Sequence, residues 1–172
     1  MLTATGCGSS ARPVAGLPVA GLPARAVPGL PSTLTPLTPA FLARETQVPP
    51  LRARLRAWGF IAGARRYFQG ESRTLQLVDS RTLRFRGAVG AAAFVEFLRA
   101  HLAPYVGSFA HTRRFTAQGR RGFLAVGQEC QCHLANPTYL AAVSARGTVT
   151  WLEINGPAAT RGRLAALLAR AP

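Results

Sequence analysis

Tyr-Leu-Ala-Ala-Val-Ser-Ala-Arg-Gly-Thr-Val-Thr-Trp-Leu-Glu-Ile, residues 139–154, reads as a β-hairpin. Two extended runs, Tyr139 to Ser144 and Thr148 to Ile154, flank Arg146-Gly147, a dipeptide suited to a tight turn between strands. Upstream, Val106 to Thr116 and Phe123 to His133 are two more extended runs, set off by Gly119, Gly122 and Asn136-Pro137. Phe60 to Phe68 and Thr74 to Arg86 make a third pair around Gln69-Gly70-Glu71-Ser72. In the second of these, Leu75, Leu77, Leu83 and Phe85 share one parity, and Asp79-Ser80 reads as a bulge or break in the middle. Six strands are expected.

Helical spacing punctuates the strands. Leu51, Leu55 and Trp58 form one stripe after Pro49-Pro50, and Gly59 stops it. Ala88 to Leu102 carries Phe94, Phe97, Leu98 and Leu102 on one face, with Pro104 as its end. Asn155-Gly156-Pro157 precedes a last helix with Leu164, Leu167 and Leu168 inward. Arg65-Arg66-Tyr67 and Arg113-Arg114-Phe115 each follow a helix and precede a turn, a weak helix–hairpin repeat. This order predicts an α+β domain, an antiparallel sheet with helices packed on it. It spans residues 41–172, the size of one domain.

Residues 1–7 and 8–40 read differently. Ala4-Thr5-Gly6-Cys7 has the small-residue pattern of a bacterial lipobox, whose Cys takes a diacylglyceryl group and anchors the chain to a membrane. A working signal also carries a basic start and an apolar run of roughly 7–15 residues. Only uncharged residues precede Cys7, so lipidation requires a longer N-terminus. Residues 8–40 are Pro-, Gly- and Ala-rich, with Val-Ala-Gly-Leu-Pro in tandem at Val14–Pro18 and Val19–Pro23. Proline at that frequency is expected to prevent helix and central strand, leaving a disordered tether.

The formal net charge is +15, from 21 basic residues, all Arg, against 6 acids. Such a surface is attracted to polyanions. Arg65, Arg66, Arg113 and Arg114, each pair beside an aromatic, are the expected contacts for an anionic ligand: acidic lipid or wall polymer. Nucleic acid is the rival partner, but the Arg residues are scattered and form no binding motif, so none is expected. No nucleophile elbow, HExxH, P-loop or GxGxxG occurs. The expectation is a non-catalytic domain, with a cytoplasmic nucleic-acid binder or an envelope hydrolase as alternatives.

Cys130 and Cys132 share one strand face and are the disulfide candidate if Cys7 is acylated. A metal would need Cys130, Cys132, His133 and a distant His101 or His111, a spacing that matches no zinc pattern. Neither metal nor cofactor is expected. Nothing in the sequence sets an oligomeric state.

The Leu51–Leu55–Trp58-Gly59-Phe60 helix end, Arg66-Tyr67-Phe68, Leu83-Arg84-Phe85 and the helix over Ala91–Leu102 together resemble actinobacterial exported lipoproteins of uncharacterised function. The resemblance covers roughly Leu51 to Ala169. It implies fold and export, agrees with Cys7 and the Pro-rich segment, and carries no catalytic residues.

Overall fold

The computed structural model describes residues 21–71, 73–107, 110–128 and 136–171. Seven strands form one antiparallel sheet: β1 (Ser32–Leu37), β2 (Phe60–Gln69), β3 (Leu77–Phe85), β4 (His111–Ala117), β5 (Arg120–Gln128), β6 (Pro137–Ala145) and β7 (Thr148–Asn155). Their spatial order is β1-β2-β3-β7-β6-β5-β4. The α+β expectation holds, with one strand more than expected. The turns at Gln118-Gly119 and Arg146-Gly147 each have positive φ at both residues, the twist a two-residue hairpin needs.

Each face of the sheet is covered. On one lie α1 (Pro39–Glu45), α2 (Leu51–Ala57), α3 (Ala88–Ala100) and α4 (Ala103–Val106). Phe94, Phe97 and Leu98 of α3 pack with Trp151, Phe123 and Leu140 of the sheet, and Trp58 meets the Phe94 ring edge-on at 6.4 Å. On the other face lie α5 (Arg161–Leu168) and an arm formed by residues 21–31, with a 3-10 turn at Ala24–Ala26. Leu22, Ala26, Val27 and Leu30 pack with Phe68, Val78, Leu152 and Leu164 there.

The arm corrects the expected domain boundary. Residues 21–40 belong to the fold and are not a spacer. Leu22 is fully buried, and its backbone N–H donates to Ser80 Oγ at 3.1 Å. β1 pairs along its whole length with β2. Its Pro36 is tolerated because β1 is an edge strand, where a missing donor breaks no ladder. Thr38 then caps α1, accepting from the Phe41 N–H at 3.1 Å.

Two further expectations change. Pro104 does not simply end α3. It sits in the first turn of α4, so the strand expected from Val106 starts at His111. β3 runs through Asp79-Ser80 in unbroken register from Leu77 to Arg84 against β7. Asp79 is paired with Arg65 and Arg81 of the sheet and Ser80 with the Leu22 N–H of the arm, so no bulge is needed to relieve them.

Candidate functional site

β4 is one edge of the sheet, and His111 to Arg114 are exposed along it. Antiparallel register decides which way its side chains go, because residues directly opposite share a face. Arg114 stands opposite Phe123 and Thr116 opposite Arg121, and Phe123 and Arg121 stand opposite Ala142 and Ser144. These positions share the face that carries α3. Arg113 stands opposite Leu124, on the face that carries α5.

Between α3 and the β4–β5 edge the surface sinks into a groove of two adjoining depressions, about 330 and 390 Å³, which share Glu96, Arg114 and Gly122. Its walls mix Val95 and Phe123 with Arg99, Arg114 and Arg121, and Arg113 borders it from the edge strand. Gly122 lets β5 lie close to β6, since a Cβ there would strike the Ala142 carbonyl. Three guanidinium groups, of Arg99, Arg114 and Arg121, meet one carboxylate, and Glu96 already binds Arg99 at 2.9 Å. Arg113, Arg114 and Arg121 have no hydrogen bond or ion pair among the described residues. Such a groove can hold an anionic group against a partly apolar floor.

The other two expected Arg residues are elsewhere. β2 and β4 are five strand spacings apart, roughly 24 Å at ~4.8 Å each, so Arg65 and Arg66 do not meet Arg113 and Arg114. Nor are the two Arg-Arg-aromatic triplets structural equivalents. Arg65 and Tyr67 face the α3 side, whereas Arg113 and Phe115 face the α5 side.

Arg65 is engaged inside the protein. Its Nη2 lies 2.7 Å from Asp79 Oδ2, its Nη1 3.2 Å from Glu45 Oε1, and its guanidinium 4.4 Å from the centre of the Tyr67 ring. Arg81, directly opposite on β3, is 1% exposed. It donates to both Asp79 oxygens and both Glu45 oxygens, and lies 3.9 Å over Trp151. Burial alone would lower the Arg81 pKa. The Asp79 carboxylate, through charge and hydrogen bond, and Glu45 reverse this and raise it, so Arg81 stays charged. Two cations and two carboxylates thus form a neutral quartet that ties α1 to β2 and β3. Tyr105 of α4 lies 5.4 Å from the Arg81 guanidinium. Burial raises its pKa, and Arg81 opposes the rise only in part.

Arg66 faces the other side and donates to Ser32 Oγ at 3.3 Å. Arg120, unmarked in the sequence, donates to the Leu168 carbonyl at 2.8 Å and to Thr150 Oγ1 at 3.0 Å. It ties the β4–β5 hairpin to the carbonyl end of α5, where a cation is favoured. Its pKa is lowered by burial.

Cys7, Cys130, Cys132 and His133 lie outside the described residues. His101 caps α3, with Nδ1 2.8 Å from the Phe97 carbonyl oxygen and its ring stacked on Phe97, while His111 is exposed at the start of β4. No cluster of three His, Cys, Asp or Glu suited to a metal occurs among the described residues. None of their helices is long and apolar enough to cross a membrane.

No protein-family model and no curated protein matches the chain. Among solved structures it is similar to the crystal structure of the extracellular domain of PknH from Mycobacterium tuberculosis. That match has 14% identity and a TM-score of 0.49, over 81% of this chain and 75% of the other.

Proposed function

We propose that this is a non-catalytic binding domain for an anionic, amphiphilic ligand at the cell envelope, and that the α3–β4 groove is its site. The observation that carries the reading is a pair of guanidiniums on the groove's own face, Arg114 and Arg121, with no hydrogen bond or ion pair among the described residues. In a chain of formal charge +15, Arg65 and Arg81 are neutralised internally and Arg120 is spent on a helix end. The groove cations remain for a partner.

The reading includes anchoring through a diacylglyceryl group on Cys7, with the domain on the extracytoplasmic side. Residues 21–40 pack on the domain, so on this reading 13 residues, 8–20, separate Cys7 from it, a reach of about 40 Å at ~3.1 Å per residue. A domain held that close meets the headgroups of acidic lipid directly. Metabolic labelling with an alkyne fatty acid, in a form with an upstream signal supplied, should mark the protein and spare Cys7→Ser. Equal labelling of both rejects the anchor. Cys130 and Cys132 are proposed as its disulfide, which alkylation and intact mass without reductant should show as two blocked thiols.

Co-sedimentation of the unlipidated chain with anionic vesicles tests the groove. Each Arg near an acidic surface contributes on the order of 1 kcal/mol, so changing Arg114 and Arg121 together to Ser should weaken binding by roughly 25-fold. Binding should fall as salt rises toward physiological. Salt-insensitive binding to neutral vesicles, or duplex DNA binding without preference for anionic lipid, overturns the reading.

A further inference from the structure

A separate depression lies on the opposite face of the sheet, between the arm and α5. It measures about 390 Å³, and Ala26, Val27, Leu75 and Leu167 are among its apolar walls. The helix explains its shape. Arg163, Leu167 and Arg170 fall at i, i+4 and i+7, so they line one edge of α5 and its C-terminal turn over roughly 10 Å. Leu167 turns in toward the core, while Arg163 and Arg170 stand exposed at either end. The facing wall is the arm, held by its own buried Leu22 and Leu30.

The two guanidiniums are lightly held. Arg163 donates to the Ala158 carbonyl at 3.3 Å, and Arg170 to the Ala26 carbonyl at 3.4 Å. Both bonds are long for N–H···O, and neither partner is charged. No carboxylate lines the depression among the described residues. A partly apolar trough with a lightly held cation at each end suits a single alkyl chain ending in a carboxylate.

We propose that the arm–α5 groove binds a single-chain fatty carboxylate, its chain along Ala26, Val27, Leu75 and Leu167 and its headgroup on Arg163 or Arg170. The site differs from the α3–β4 groove in face, lining and ligand. One receives an anionic surface; the other takes one chain. Removing methylenes from water should raise affinity by up to about fourfold each until the groove is filled.

Dodecanoate below its micelle concentration, titrated into the full chain and followed by amide NMR, tests this. One equivalent should bind and shift Ala26, Val27, Leu75 and Leu167. Dodecyltrimethylammonium, with the same tail and the opposite head, should bind at least about tenfold more weakly. Arg163→Ser with Arg170→Ser should abolish that preference. Ala166 is exposed on the rim, so Ala166→Glu should block dodecanoate while leaving the melting temperature unchanged. Changing Arg114 and Arg121 to Ser should leave dodecanoate binding intact. Equal affinity for the two heads, undiminished binding to Ala166→Glu, or loss of binding in the Arg114/Arg121 variant each overturns the proposal.

Discussion

Asp79 accepts hydrogen bonds from two guanidiniums while being 2% exposed, in the middle of a central strand. Removing one member of a buried ion pair leaves the partner charged and unsolvated, at a cost of about 3–5 kcal/mol. Asp79→Asn should therefore lower the free energy of urea unfolding by about that much. Arg65→Ser should also destabilise the fold, because Arg65 bonds Asp79 and Glu45, yet it should leave vesicle affinity unchanged. Tyr105 adds a pH dependence. Its folded pKa is raised, first by burial, above the ordinary value near 10. The folded state thus holds a proton that the unfolded state releases. This contribution is fully present below pH ~10 and is lost as pH rises beyond it, at up to about 1.4 kcal/mol per pH unit. Tyr105→Phe should flatten that alkaline decline in chemical denaturation. Asp79 also marks where a sequence reading stops. Its parity with Leu77 and Leu83 is visible, but its polarity reads as an interruption. Only the register that sets Arg65 opposite Arg81 shows it to be a buried pair.

α3 touches two features whose effects are opposed in sign. Gly90 within it lowers helix propensity by up to about 1 kcal/mol relative to Ala, so Gly90→Ala should stabilise by that criterion. A Cβ at Gly90 would instead strike the Trp58 carbonyl. Overpacking against backbone costs about 1–3 kcal/mol, so a net loss is expected in thermal or urea unfolding. The arm behaves as a core element. Leu22→Ala should cost about 2–5 kcal/mol, and a chain starting at Pro39 should lose stability with the arm and β1. Measurement of both by urea unfolding tests the corrected boundary. The elements legible in the sequence are those whose period is unmixed: the 139–154 hairpin, α3, and β2 with its turn. β1 and the arm were hidden because prolines at Pro23, Pro28, Pro31 and Pro36 read as breakers, though an edge strand and an irregular arm tolerate them. The candidate site was half legible. Arg113-Arg114 stands out as a doublet, but Arg99 and Arg121 reach the groove from other elements, through a pairing that no local pattern carries.

At the scale of the molecule, the strand order divides the sheet into two locally wound halves, β1-β2-β3 and β7-β6-β5-β4, joined only where β3 meets β7. Leu83 pairs with Val149, 66 residues later in the chain. Closing such a distant pairing is entropically costlier than closing a hairpin, so the join is expected to form after both halves. Native-state hydrogen exchange should find β3 and β7 amides slowest and the β1 and β4 edges fastest. On the ribosome, β3 therefore waits with a bare edge until residue 155 has been made. A waiting strand edge is a template for wrong pairing with other chains, and charged side chains are the usual defence. Asp79 and Arg81 stand in the middle of that edge. Replacing the whole quartet with apolar residues of similar volume could leave the finished fold as stable or more so. The cost should appear during synthesis, as more aggregate and a lower soluble yield than the natural sequence gives.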